Sequence, residues 1–273
     1  MFRLPTGHFH ASFPSVLNRM RSLFSSHATN PVAAAEPVPT MFPTIEGADI
    51  AAVFVGRRMA GDFYDSVRVS PERVLIGLLD VSGRREDNRN FLIDAQNIFR
   101  EFGTELFSRP DINESDAMTE LSLRINRHLI EVSKGVRPCP AFIACYHEKF
   151  GTLCYTNAGH TPALLRDHGG IIELDSTGLP LGLFSHATAD ARIVALENAA
   201  ALLLVSHGVV SCEGRHNGSS DEFSLGRVKE LFQIAALTGA QALCLSILNS
   251  VAEFSGNVPL CDDRTALALI RTA

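Results

Sequence analysis

Tryptophan is absent, and no stretch approaches about eighteen uninterrupted apolar residues, so a membrane-spanning helix is excluded. A basic excess is missing too: 24 Lys and Arg stand against 30 Asp and Glu, a formal charge of -6. Attraction to phosphate backbones scales with clustered Lys and Arg, so nucleic acid is not an expected partner. Six cysteines, Cys139, Cys145, Cys154, Cys212, Cys244 and Cys261, lie scattered with no Cys-x-x-Cys pair. That argues against a zinc knuckle or a dense disulfide scaffold and makes a reducing cytoplasm the default setting. No internal repeat occurs, and the N-terminus has no apolar core with a cleavage site of the secretory kind. What is present is ordinary for a soluble globular chain, with 46% hydrophobic and 20% charged residues over 273 positions. That length allows one large domain or two modest ones, with a substantial core.

Residues 1–41 read as a flexible tail and linker. Three prolines fall within Pro31–Pro39, in a stretch with little to bury. Ser15–Phe24 has the spacing of a short amphipathic helix, which is marginal alone and leaves a partner-docking role open. From Phe42 to Ala273 structure signals are dense. Ala48–Val55 and Val74–Val81 are apolar runs of strand length. Between them Asp65–Val69 alternates with period two and Ser70–Arg73 supplies a turn, which predicts an opening β-meander. Phe91, Leu92, Ala95, Ile98, Phe99, Phe102 and Leu106 recur at helical spacing, and so do Met118, Leu121, Ile125, Leu129 and Val132. The second of these helices is expected to start near Asn113 or Ser115 and to stop at Gly135. Short strands follow at Ala141–Tyr146, Thr152–Asn157, Ala163–Arg166, Gly170–Leu174 and Ala200–Val205. Helices are expected at Val228–Ala236 and Ala240–Phe254, and a closing strand at Thr265–Ile270. This order is not the alternation of a parallel α/β sheet; it predicts an α+β fold with sheets covered by segregated helices.

Acidic residues stand where these strands end. Asp62 lies in Gly61-Asp62-Phe63-Tyr64-Asp65, Asp80 closes an apolar strand, and Asp262 with Asp263 precedes the last one. A carboxylate at a buried strand end is costly to dehydrate unless it is paired or holds a metal. Converging carboxylates are also how two hard divalent ions would be held about 3.5–4 Å apart to clamp an attacking water against a phosphoryl group.

Five segments in order carry a resemblance: Ala60-Gly61-Asp62-Phe63-Tyr64-Asp65, Asp80-Val81-Ser82-Gly83, Tyr155-Thr156-Asn157-Ala158-Gly159-His160-Thr161-Pro162, Gly178-Leu179-Pro180-Leu181-Gly182 and Asp262-Asp263-Arg264-Thr265. Together, over roughly Pro43–Thr272, they resemble the PPM-type (protein phosphatase 2C-like) phosphatases. Within these they are similar to the bacterial branch named after stage II sporulation protein E and RsbU. The resemblance implies an α-β-β-α sandwich of two mainly antiparallel sheets over residues 42–273, with two Mn²⁺ or Mg²⁺ ions at one end. It implies a phosphoserine or phosphothreonine protein as substrate, often an anti-sigma-factor antagonist. Asp80 would bridge both ions, the Val81 carbonyl would complete one, Asp262 would hold the second, and Asp62 would bind directly or through water. A metal-bridging water would attack phosphorus in line, and Asn157, Gly159 and His160 would form a substrate or structural loop.

The match fails at one ligand. Where the family has Thr-Asp-Gly, this chain has Ser206-His207-Gly208. Two readings of His207 stand: it is no ligand and that site is lost, or it ligates as a neutral imidazole that suits Mg²⁺ poorly. Other departures are Gly83-Arg84-Arg85-Glu86 without a second glycine, Ala60 before Gly61, Ser211 for a usual Glu with Glu213 close by, and Phe223-Ser224 for Phe-Gly. Arg84 and Arg85 read as a phosphate-greeting pair or as a solvated one. His160 reads as a general acid or as a turn residue. A pseudophosphatase that binds a regulatory partner is therefore the rival to an active enzyme.

Overall fold

The computed structural model describes residues 40–56, 61–81, 85–133, 137–187, 190–216, 219–256, 258 and 262–272. The expected tail helix and linker, Ala60, Gly83, Arg84, the Gly135 helix stop and Cys261 lie outside the described residues. In chain order the strands are β1 (Ala48–Val55), β2 (Gly61–Ser70) and β3 (Arg73–Val81), then helices α1 (Arg85–Phe107) and α2 (Glu114–Ser133). Strands β4 (Ala141–His147), β5 (Thr152–Ala158), β6 (Ala163–Asp167), β7 (Gly170–Leu174), β8 (Arg192–Ala195) and β9 (Ala201–Val205) follow. The remainder is α3 (His207–Val210), β10 (Glu213–His216), β11 (Ser219–Glu222), α4 (Ser224–Ile234), α5 (Ala240–Ser255) and β12 (Arg264–Arg271).

Two five-stranded sheets result, in the orders β1-β12-β9-β6-β7 and β2-β3-β4-β5-β8, with β10 and β11 as a separate hairpin. The pairings between these named strands are antiparallel. The central strands read as continuous apolar runs because both of their faces are covered. Along β3, Val74, Ile76 and Leu78 face the other sheet, while Leu75, Leu79 and Val81 face the helices. Helices α1 and α2 close one outer face with Leu92, Phe99, Met118, Leu121 and Leu129. Helices α4 and α5 close the other with Val228, Phe232, Leu243, Ile247 and Val251. Each such fully buried Leu, Ile or Phe contributes roughly 1.5–3 kcal/mol, and the three layers of core define the α-β-β-α sandwich. Helix α2 starts as expected: the Asn113 Oδ1 accepts the backbone N–H groups of Ser115 and Asp116 at 3.1 and 3.3 Å.

The expected opening meander is corrected. Strand β1 pairs along its whole length with β12, in the sheet opposite β2. Short-range alternation predicts strands but not which sheet each joins. Strand β8, the β10–β11 hairpin and α3 went unanticipated. Strand β8 is four residues long and largely exposed, and the hairpin is polar, so neither carries an apolar period. Helix α4 begins four residues earlier than its apolar spacing suggests. Its first residue, Ser224, has φ 66° where the resemblance expects glycine, a left-handed backbone that a side chain disfavours. Among the described residues no helix is long and apolar enough to cross a membrane.

Candidate active site

The period that builds the inter-sheet core also builds the acidic end. Along β3 the series Val74, Ile76, Leu78 continues to Asp80, and the β2–β3 register sets Asp62 directly opposite it. From the other sheet, Leu267 and Leu269 of β12 continue back to Thr265, and Leu202 and Leu204 of β9 continue to Ser206. The layer between the sheets thus ends in a polar rung of two carboxylates and two hydroxyls. The Thr265 hydroxyl donates to the Asp62 Oδ2 at 2.7 Å, and the Ser206 hydroxyl also bonds to that carboxylate. Ser206 and Thr265 were missed as site residues. Their signal was the strand period, which extends one residue past each apolar run.

Asp62 is 5% exposed. Burial, then the facing Asp80 charge, push its carboxyl up to about 8 against the pull of the two hydroxyls. Asp80 is raised as well, first by burial and then by Asp262, and it is held back by the His207 imidazole and the His207 backbone N–H. Asp262 turns its Oδ1 to the Asp263 N–H at 2.8 Å and its Oδ2 to within 4.0 Å of the His207 Nδ1. Two glycines make this crowding feasible. A Cβ on Gly208 would meet the Asp263 carbonyl at 2.1 Å, and one on Gly56 would meet the Asp263 carboxylate at the same distance.

Val81 follows Asp80 as the last residue of β3, and its carbonyl is held from α1. The Asn88 amide of α1 reaches it at 3.5 Å, and Arg137 donates to the Asn88 Oδ1, which fixes the amide's orientation. Asn157 and Gly159 shape the following loop. The Asn157 Oδ1 accepts the His160 backbone N–H at 2.8 Å, and its Nδ2 donates to the Leu174 carbonyl at 3.1 Å. Gly159 has φ 70°, and a Cβ there would strike Pro180 at 2.6 Å. The loop turns His160 inward. That ring is 4% exposed, its Nδ1 lies 3.0 Å from the Thr161 carbonyl, and burial pulls its pKa down to about 4.

Asp80, His160 and His207 meet Pro138, Pro140, Gly159 and Thr161 around a cavity of about 270 Å³. His207 opens α3 with a side chain that is 65% exposed. Among the described residues no three His, Cys, Asp or Glu side chains are already gathered as a metal chelate. The four acidic-end residues Asp62, Asp80, Asp262 and His207 are nonetheless close enough for their charges to act on one another.

Two antiparallel sheets between helical pairs, with acidic strand ends at one edge, define a PPM-type phosphatase fold. Residues 70–272 match the family model for stage II sporulation protein E (SpoIIE), and the chain belongs to that family. Among solved structures it is similar to the RsbU and RsbW domains of Rv1364c from Mycobacterium tuberculosis, with TM-score 0.68 and 23% identity over 85% of this chain and 62% of that one. The SiaA-PP2C domain of Pseudomonas aeruginosa gives TM-score 0.66 and 18% identity over 82% of this chain and 85% of that one. The PP2C phosphatase domain of SpoIIE from Bacillus subtilis, solved with a fragment of its regulatory domain, gives 0.64 and 11% over 86% and 64%. The chain therefore spans less than two thirds of the first and third of these. No curated protein matches.

Proposed function

We propose that the chain is a metal-dependent protein serine/threonine phosphatase acting on a phosphorylated signalling protein, with an anti-sigma-factor antagonist as the expected kind. The observation that carries this reading is the buried facing pair Asp62–Asp80, with Asp262 beside it and both members of the pair raised in pKa. Such shifts record carboxyl groups that burial, and then mutual repulsion, leave without a compensating cation, and carboxylate oxygens suit hard divalent ions. The donor set fits Mn²⁺ or Mg²⁺ on that ground. Asp62, Asp80, Asp262 and the Val81 carbonyl would hold the ions, with His207 at the margin. A bound divalent ion supplies the charge that polarises a phosphoryl oxygen and makes water nucleophilic near neutral pH.

The chain's own residues supply position. Thr265 and Ser206 orient Asp62, the His207 N–H orients Asp80, and Asn88 steadies the Val81 carbonyl. Pro138 and Pro140 give the cavity an apolar wall against which a phosphorylated side chain would lie. The cytoplasm is the setting we propose, because Cys139, Cys145, Cys154, Cys212 and Cys244 are buried free thiols. The test is release of phosphate from a phosphoserine peptide by the full chain in Mn²⁺ or Mg²⁺. Absence of release in either ion overturns the reading. One observation favours the rival pseudophosphatase: an exposed imidazole occupies the position where the family places a ligand carboxylate. Turnover that appears only in His207→Asp would decide for that rival.

A further inference from the structure

Two imidazoles line the 270 Å³ cavity together with Asp80, and their hydrogen bonds hold both in the same tautomer. At His160 the Thr161 carbonyl can only accept, so Nδ1 carries the hydrogen and Nε2 the lone pair. At His207 the Ser211 hydroxyl gives its hydrogen to the His207 carbonyl at 2.9 Å. The ring Nδ1 therefore donates to that hydroxyl oxygen at 3.2 Å, and Nε2 again carries the lone pair. The His160 Nε2 is fully buried and has no hydrogen-bond partner. Such a buried, unpartnered ring nitrogen is a donor position that the chain itself leaves open. An Nδ1–H anchored on oxygen beside a bare Nε2 is the arrangement that metal-binding histidines adopt.

We propose that Asp80, His160 and His207 form a mixed carboxylate–imidazole site that takes a borderline transition ion, Zn²⁺ or Co²⁺, in preference to Mg²⁺. Magnesium takes oxygen donors in near-ideal octahedra, whereas two imidazoles and one carboxylate are a donor set for zinc and its neighbours. The inference deepens the metal reading of the same cleft and rests on it. His160 is pinned by its loop, and the Asp80 carboxylate already meets the His207 backbone N–H. The three side chains are not yet gathered on one point. His207 closes the site by exchanging its Ser211 contact for the ion, because an exposed side chain at the first position of α3 rotates without repacking a core.

The experiment is calorimetric titration of the full metal-free chain with Zn²⁺ and with Mg²⁺, beside visible absorption during Co²⁺ titration. Wild type is expected to bind one Zn²⁺ far more tightly than Mg²⁺ and to develop the strong d–d absorption of low-coordinate Co²⁺ with nitrogen ligands. His207→Ala should weaken Zn²⁺ roughly ten-fold or more and bleach that absorption. His207→Asp should shift preference back toward Mg²⁺. His160→Gln should act like His207→Ala, but a fully buried ring is a folding risk, so the exposed His207 decides. Equal affinity for Mg²⁺ and Zn²⁺ in wild type, or an unchanged Zn²⁺ affinity in His207→Ala, overturns the site. Turnover enters none of these measurements: a chain that binds Zn²⁺ here yet releases no phosphate upholds the site and overturns only the phosphatase reading.

Discussion

The two ends of the β2–β3 hairpin both hold buried charge, and they treat it in opposite ways. At the turn end Arg73 is nearly buried. Its guanidinium meets Glu114 at 2.6 Å and the carbonyls of Arg109 and Pro110 at 3.1 Å, while Arg68 pairs with Glu148. Midway, Asp65 is fully buried and takes a two-pronged bond from Arg100 of α1 at 2.6 and 2.8 Å. Three residues before it on the same strand, Asp62 faces not a cation but another carboxylate. The strand period decides this. Asp65 points to the helical layer, where an arginine can reach it, and Asp62 points between the sheets, where hydroxyls and carboxylates are gathered. Charge that serves the fold is neutralised from within the chain. At the acidic end neither Asp62 nor Asp80 is answered by a Lys or Arg among the described residues, and this is the physical basis for the site we propose there.

The comparison breaks if Asp65 and Asp62 respond alike to loss of partner or charge. Arg100→Met leaves the Asp65 carboxylate buried with only the Thr40 hydroxyl at 3.1 Å. Thermal and urea unfolding should show a loss of about 3–5 kcal/mol. Asp62→Asn should show no such loss, because the neutral amide replaces a carboxyl that the fold already holds protonated below about 8. A drop as large as that of Arg100→Met would mean that Asp62 is a structural charge after all.

A pH scan of the metal-free chain sharpens the contrast. The folded carboxyl of Asp62 stands at about 8 against a reference of 3.8, so between those values the folded state keeps a proton that the unfolded state has released. Stability from this group is therefore full below pH 4 and falls as pH rises toward 8, by on the order of a few kcal/mol. Unfolding free energies measured in chelator across that window should slope downward, and Asp62→Asn should flatten the slope. A wild-type profile equal to the mutant's would remove the charge argument.

If the phosphatase reading holds, Asp80→Asn should lower turnover by roughly 100-fold or more, beyond what losing a supporting residue costs. Its circular dichroism and melting temperature should match or exceed those of wild type. The smallest effect belongs to the exposed turn end. Lys149 and Glu72 there approach to 3.9 Å with side chains 65% and 49% exposed, and breaking that pair with Lys149→Met should cost about 1 kcal/mol or less, measured by the same unfolding curves.

Much of this contrast could be read before any coordinates. The α+β class followed from element order, and the carboxylates at the ends of β2, β3 and β12 stood out because charge interrupts an apolar run. The five ordered segments carried the family. The strand period marked Ser206 and Thr265 but not their roles, since a hydroxyl one step past an apolar strand is unremarkable until another sheet's carboxylate is known to face it. The cation for Asp65 was equally hidden: Arg100 is one polar residue on a helix, and only packing brings that helix over β2.

What the sequence by itself determined is whatever repeats at short range. It set the periods that make strands and helices, the Asn113 start of α2, the glycine-dependent turns, and the list of acids that cannot be buried without reason. Tertiary structure alone decided which acids would be answered and which would not. The pairing of β1 with β12, 223 residues apart at Ala48↔Arg271, fixes the sheet that faces β2 and β3. Packing of α1 delivers Arg100 to Asp65, and the β2–β3 register sets Asp62 against Asp80. These are contacts between distant segments, and their energies depend on distance and burial, quantities that no local pattern carries.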